Sequence, residues 1–136
     1  CSATMRDLFT PFGIWLPRNS AEQAKSGGTF HDLASLGNAE KRDRLLQQGV
    51  PFYTLVWFKG HIGLYLGVDP GSGELLLLHN LWGIRTTSSS GHEGRALVGR
   101  LAITSLRPGE ERPDVENGRF YQRILGMTIL PGGEAR

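Results

Sequence analysis

The sequence is poor in cysteine and has no long apolar run, and both shortages exclude whole classes of protein. Its 136 residues contain a single cysteine, Cys1, so no internal disulfide can form and a zinc site would lack further cysteine ligands. The run of four leucines at 75–78 is of strand length, far short of the roughly 18 residues of a membrane span. We therefore expect no transmembrane segment.

The sequence also has little excess of either sign of charge. Lys and Arg number 15 and Asp and Glu number 13, for a net charge of +2, and the two signs are interspersed along the chain. Because no run of basic residues could follow a phosphate backbone, nucleic acid is not an expected partner.

Glycine, by contrast, is abundant. Its 19 residues are roughly double the usual share of ~7%, which favours short strands and turns over a helical bundle. The chain length is typical of one domain. We therefore expect a single domain over residues 1–136 that contains a sheet.

The start of the chain predicts a short helix. Apolar side chains from Met5 to Phe12 recur at the spacing of one helical face, so we expect a helix over residues 1–10. Pro11 ends this pattern. Cys1 would then lie at the N-terminal end of the helix.

Two more helices are expected before residue 50. Ser20 followed by Gln23 has the pattern of a capping box that opens a helix over Ala21–Lys25. The signals of the next helix are an N-cap at Asn38, inward-facing Leu45 and Leu46, and a stop at Gly49.

The rest of the chain predicts strands, because aromatic, β-branched and alternating apolar residues replace the helical spacing. The predicted strands are Phe52–Phe58, His61–Gly67, Gly73–His79, Gly83–Thr86 and Leu97–Leu106, with a flexible loop at Thr87–Gly94. A surface connection is expected at Pro108–Gly118, and a short helix and strand at Arg119–Leu130. Helices followed by an antiparallel sheet define an α+β fold.

Three side chains could carry chemistry together. A thiolate needs a lowered pKa, which a helix N-terminus and a neighbouring imidazole both provide. His61 shares a strand face with two glycines, opposite an aliphatic face expected to be the core, and the glycines would leave room for a helix end carrying Cys1. A hairpin through residues 70–71 would bring His79 near His61. This predicts Cys1 as nucleophile, His61 as general base and His79 as the residue that orients it.

The remaining candidates are weaker. His31 and His92 are expected to be solvated loop residues. No metal site is predicted, because Ala96 stands where a zinc-protease helix starting at His92 would need its second histidine. A lone cysteine is more often an inert apolar residue, and a histidine at a strand end more often a packing residue, so these structural interpretations stay open.

Three segments, in order, resemble the NlpC-type cysteine peptidases of bacterial cell walls. Cys1-Ser2 and the Pro-Arg-Asn-Ser at 17–20 are similar to that family's nucleophile segment, with Ala3 in place of its usual glycine. The sequence LVWFKGHIGLYLG at 55–67 is similar to its central strand pair, and 77–80 falls where it has the third catalytic residue. The stretch 79–85 resembles the subgroup whose catalytic domain follows bacterial SH3-like domains.

The resemblance implies a compact papain-like α+β fold and the same roles for Cys1, His61 and His79. It adds Ser2 as a residue that binds the free amino end of the substrate. It further implies an endopeptidase of the cell envelope that cleaves peptidoglycan stem peptides, most often between γ-D-glutamate and an L-diamino acid, with no metal or cofactor. The family's acidic residue and tyrosine before the nucleophile would precede residue 1, so the chain is expected to be the C-terminal part of a longer protein with SH3-like domains.

Three alternatives stay open. Cys1-Ser2 could begin a lipoprotein of the cell envelope, with Cys1 acylated and no catalysis. The α-amine of Cys1 could act as the base, which would leave the two histidines without a role. The chain could also be an inactive wall-binding module.

Overall fold

The polypeptide forms four α-helices, a short 3-10 helix at Thr10–Phe12 and six strands within residues 1–133, the part of the chain that the computed structural model describes. In chain order they are α1 (Ser2–Phe9), α2 (Ser20–Ser26), β1 (Thr29–Asp32), α3 (Asn38–Gln48), β2 (Thr54–Phe58), β3 (His61–Val68), β4 (Leu75–Thr87), β5 (Glu93–Ser105), α4 (Arg119–Gln122) and β6 (Ile124–Ile129). The expected α+β class is confirmed.

All six strands belong to one antiparallel sheet of order β1-β6-β2-β3-β4-β5. The two strands predicted at Gly73–His79 and Gly83–Thr86 are one continuous strand, β4, and the flexible loop shrinks to residues 88–92. The reason is that β5 pairs with β4 along its whole length and accommodates a bulge near Leu81. Pairing thus extended a strand that the sequence divides in two.

The edge strand β1 was not predicted. It is four residues long and pairs with β6, about a hundred residues later, so the local sequence has no alternation long enough to reveal it. His31 lies in this strand and is half-buried, and the prediction of a solvated loop residue was therefore wrong. His92 lies in the exposed loop, as predicted.

Both faces of the sheet are covered by apolar side chains. Leu64 joins a cluster with α1 on one face, and Tyr65 joins a second cluster with α3 and α4 on the other. Both are almost fully buried. The aliphatic face of β3 lies in the core as expected, and the face that carries His61 is covered as well, because later elements pack on it.

The start of α2 differs from the predicted capping box. Asn19, not Ser20, is the N-cap, and its side-chain oxygen accepts from the backbone N–H groups of residues 21 and 22. Gln23 is fully buried and points away from the cap. Asn19 takes this position because asparagine accepts well from two free N–H groups at a helix start.

The start of α3 also differs. Gly37 is the N-cap, and Asn38 is the first helical residue, whose amide donates to the Gly118 carbonyl 3.0 Å away. Leu45 is buried as predicted, but Leu46 is 40% exposed. Only one face of α3 packs against the sheet, and Leu46 lies outside that face.

Candidate active site

Cys1 lies at the head of α1, as its N-cap. It is half-buried, and the helix behind it packs Met5 and Phe9 against the β3 face that carries Ile62 and Leu64. The free N–H groups of the first helical turn point towards this end, and they favour a negative charge there. The position therefore favours the thiolate form of a cysteine.

A chain of hydrogen bonds joins two imidazoles and a hydroxyl. His61 Nε2 lies 2.8 Å from His79 Nδ1, and His79 Nε2 lies 2.8 Å from Thr104 Oγ1. The predicted proximity of His61 and His79 is therefore confirmed. Thr104 was missed, because it lies on β5 and meets His79 only through the pairing of β4 with β5.

The hydroxyl of Thr104 determines where the protons of this chain lie. Its hydrogen is donated to the Ser105 carbonyl at 2.8 Å, so towards His79 the oxygen can only accept. His79 then carries its proton on Nε2 and accepts at Nδ1, which makes His61 Nε2 the donor. Neutral His61 is left with a free lone pair on Nδ1, the arrangement a general base needs.

Gly63 makes room for His79. A Cβ at this glycine would lie 2.8 Å from Leu77 Cγ and 3.0 Å from His79 Cβ, both on the neighbouring strand. The expectation that the glycines of β3 admit a helix end was wrong, because α1 packs on the opposite face. The glycine instead lets two strands bring their imidazoles together.

Burial keeps both imidazoles neutral. It lowers the pKa of His79 to about 4, and that of His61 to about 3 with further contributions from His79 and Arg123. Phe120 lies against both rings, with centroids 6.4 Å from His61 and 5.8 Å from His79, and helps to exclude water. At neutral pH, His61 is therefore available to accept a proton.

Ser2 and the start of α1 are held by α2 and the segment that precedes it. Arg18 Nη1 donates to Ser2 Oγ at 3.1 Å. Gln23 Nε2 donates to the carbonyls of Ser2 and Pro17 at 2.6 and 2.7 Å. Sequence reasoning missed this role of Gln23, which it assigned to a cap. The side chain instead fixes the first turn of α1 relative to residues 17–23.

A second tie joins α1 to the strand that carries His79. The amide of Asn80 donates to the hydroxyl of Thr4. Since Asn80 is next to His79 and Thr4 lies in the first turn of α1, this bond connects the helix head to the imidazole chain. Thr4 and Asn80 thereby hold the helix that begins after Cys1 against the strand that carries His79.

Residues 1–133 lack both a metal-binding cluster and a membrane-spanning helix. No group of three or more His, Cys, Asp or Glu side chains is placed there to hold a metal ion. None of the helices in that range is long and apolar enough to cross a membrane.

A cysteine at the head of a helix that packs on an antiparallel sheet, with two hydrogen-bonded imidazoles on that sheet, is the arrangement of a papain-like α+β protein. Comparison with known proteins supports this class and narrows it. The NlpC/P60 family matches residues 1–97, well over half of the chain, and the protein belongs to that family. The resemblance noted in the sequence is thereby confirmed, while the SH3-associated subgroup stays a prediction.

One solved structure is similar along nearly the whole chain. It is described as a novel NlpC/P60 endopeptidase from Photobacterium damselae subsp. piscicida, with a TM-score of 0.79 and 31% identity. The match covers 95% of the present chain but 33% of that protein, so the chain spans about a third of its length. No curated protein matches the sequence.

Proposed function

We propose that the protein is a cysteine peptidase that hydrolyses an amide bond in peptidoglycan stem peptides. The observation that carries the proposal is the chain from Thr104 through His79 to His61, which leaves a neutral imidazole with a free Nδ1 in an NlpC/P60 domain whose only cysteine heads a helix. An inert cysteine or a packing histidine would need neither the buried second imidazole nor its ordered tautomer.

The proposed reaction has two halves. His61 Nδ1 takes the proton of Cys1 Sγ, and the thiolate attacks the carbonyl carbon of the scissile amide. Backbone N–H groups at the head of α1 stabilise the resulting oxyanion. His61 then gives its proton to the leaving nitrogen, so the C–N bond breaks and a thioester forms. In the second half His61 takes a proton from water, whose oxygen attacks the thioester, and the products are a carboxylic acid and the restored thiol.

The finer assignments come from the resemblance. The preferred bond is that between γ-D-glutamate and an L-diamino acid, and Ser2 takes part in binding the free amino end of the substrate. The enzyme acts at the cell envelope, in the periplasm or after secretion. Residues 1–136 are one catalytic domain, of which 134–136 lie outside the described residues, and they follow SH3-like domains of a longer chain.

The test is cleavage of a defined stem peptide, L-alanyl-γ-D-glutamyl-diaminopimelate, by the full-length protein, with products identified by mass spectrometry. Cys1→Ala and His61→Ala should abolish cleavage, and His79→Ala should reduce it, because an orienting group contributes less than the base. His92→Ala is the matched control, since this histidine lies in an exposed loop, and it should keep full activity.

The same experiment separates the alternatives. Full activity in His61→Ala would exclude a papain-like mechanism and favour the amine of Cys1 as base. A lipid attached to Cys1, seen as added mass, together with no cleavage, would identify an anchor instead. An unmodified thiol, no cleavage and retained binding to cell walls would indicate an inactive wall-binding module.

A further inference from the structure

An open cavity of about 300 Å³ lies directly beside His61, and its lining is strongly basic. The ring of His61 forms part of its wall, next to the side chain of Trp82, which is 66% exposed. The four charged residues that line it are Arg85, Arg95, Arg119 and Arg123. No aspartate or glutamate within residues 1–133 contributes to this wall.

Only half of this positive charge is neutralised by the protein. Arg85 pairs with Glu93, and Arg119 Nη1 lies 2.8 Å from a Glu116 carboxylate oxygen. Arg95 and Arg123 form no ion pair with any carboxylate in the described part of the chain. Arg123 Nη2 reaches only a backbone carbonyl, at 3.5 Å. The cavity therefore holds about two unbalanced positive charges.

The fold brings these arginines together against their mutual repulsion. Arg85 and Arg95 are direct partners in the register of β4 and β5, where like charges destabilise a sheet. Arg119 and Arg123 are four residues apart at the two ends of α4, where like charges destabilise a helix. Two unfavourable pairs therefore face one cavity, where a bound anion would offset the repulsion between the arginines.

The details of packing support the same interpretation. A Cβ at Gly83 would lie 2.6 Å from both Cγ and Cδ of Arg95, so this glycine lets the arginine stem lie across β4. Partial burial, followed by the charges of Arg119 and Arg95, lowers the pKa of Arg123. The guanidinium of Arg123 also acts on His61, and its charge is therefore close to the proposed base.

We propose that this cavity binds a free carboxylate of the substrate next to the scissile amide. Arginine pairs with carboxylates through two parallel hydrogen bonds, which suits a planar anion at an exposed basic wall. The inference rests on the proposed function, because a stem peptide supplies such groups. A γ-linked glutamate keeps its α-carboxylate, and a diamino acid at the chain end keeps its own.

The test compares substrates that differ only in these carboxylates. The full-length protein is assayed with the stem tripeptide, with the same peptide amidated at the glutamate α-carboxylate, and with the peptide amidated at the diamino acid. Arg95→Gln and Arg123→Gln should each lower kcat/KM about tenfold for the free peptide, as expected for a hydrogen bond between charged groups. One of the two amidated peptides lacks the carboxylate that the cavity binds, and the substitutions should have little effect on kcat/KM for that peptide. It thereby shows whether the glutamate or the diamino acid supplies the bound carboxylate.

Arg44→Gln is the matched control, because it removes one positive charge from an exposed position on α3. It should leave kcat/KM unchanged for all three peptides. Equal losses on the free and amidated peptides in Arg95→Gln, or no loss at all, would overturn the proposal.

Binding by a Cys1→Ser form separates this proposal from the proposed function. If the wild-type protein cleaves no stem peptide, but calorimetry shows that the tripeptide binds and that Arg95→Gln weakens it about tenfold, the carboxylate site stands without the peptidase. Cleavage with no dependence on either carboxylate would leave the peptidase and remove the site. Binding of polyphosphate without binding of the peptide would also overturn it, in favour of a phosphate-bearing ligand.

Discussion

Replacing Thr104 with valine should disable the base while leaving the thiol untouched. Valine matches threonine in shape but removes the hydroxyl that accepts the Nε2 proton of His79 at 2.8 Å. His79 is fully buried, so its Nε2–H would have no other partner. Leaving a buried donor unpaired costs about 1–3 kcal/mol.

The ring can avoid this cost by moving its proton to Nδ1. That proton would then point at His61 Nε2, 2.8 Å away, and His61 would have to accept there and carry its own proton on Nδ1. In this tautomer His61 cannot take a proton from a thiol. A penalty of about 1–3 kcal/mol on the productive tautomer corresponds to a fall in kcat/KM of about 5- to 150-fold.

The measurement is kcat and KM on the stem peptide over a range of pH, together with histidine nitrogen chemical shifts, which report the tautomers of His61 and His79 directly. Thr104→Ser keeps the hydroxyl and should retain most of the activity and the wild-type tautomers. If Thr104→Val retained the wild-type kcat, pH profile and nitrogen shifts, the hydroxyl would not determine the proton positions, and the reasoning would be wrong.

Three further predictions concern stability and the site. Gly63→Ala should place a methyl group 2.8 Å from Leu77 and 3.0 Å from His79, which should lower the free energy of unfolding in urea by about 1–3 kcal/mol and reduce cleavage; an unchanged urea midpoint would contradict it. Because the pKa values of His61 and His79 are lowered to about 3 and about 4 from 6.5, the unfolded chain binds more protons below pH 6.5, so the free energy of unfolding should fall as the pH drops from about 6.5 towards 4. This loss of stability should be smaller in His79→Gln. If the free energy of unfolding depended equally on pH in both proteins, the lowered pKa of His79 would not be its cause. Lys41→Met should remove the ammonium that donates to two carbonyls at the end of α4 at 3.1 and 3.0 Å, with a loss of about 1–3 kcal/mol in urea unfolding, whereas a more stable variant would show that those carbonyls find water instead.

The local features of the site could be predicted because they depend on neighbours in the chain. The apolar spacing from Met5 places Cys1 at a helix head whatever the helix packs against. Alternation in β3 and a short turn before β4 bring His79 towards His61, since a hairpin joins segments that are adjacent in sequence. These elements carry the chemistry of the proposed peptidase.

The predictions that were wrong concern features that depend on partners far away in the sequence. The strand β1 exists because β6 pairs with it, and β4 continues past Leu81 because β5 does. His31 was predicted to lie in a loop because the pairing of β1 with β6 cannot be seen in the local sequence. Gln23 was assigned to a cap because no local pattern shows that its amide reaches Ser2 and Pro17.

The sequence by itself determined the class of fold, the helix head that carries Cys1 and the pair formed by His61 and His79, because helical and strand periodicity act over a few residues. Only the tertiary structure decided that Thr104 orders their protons and that the arginines of β4, β5 and α4 meet beside them. Those positions are set by the register of the sheet and by the packing of a late helix, which bring together residues that are far apart along the chain.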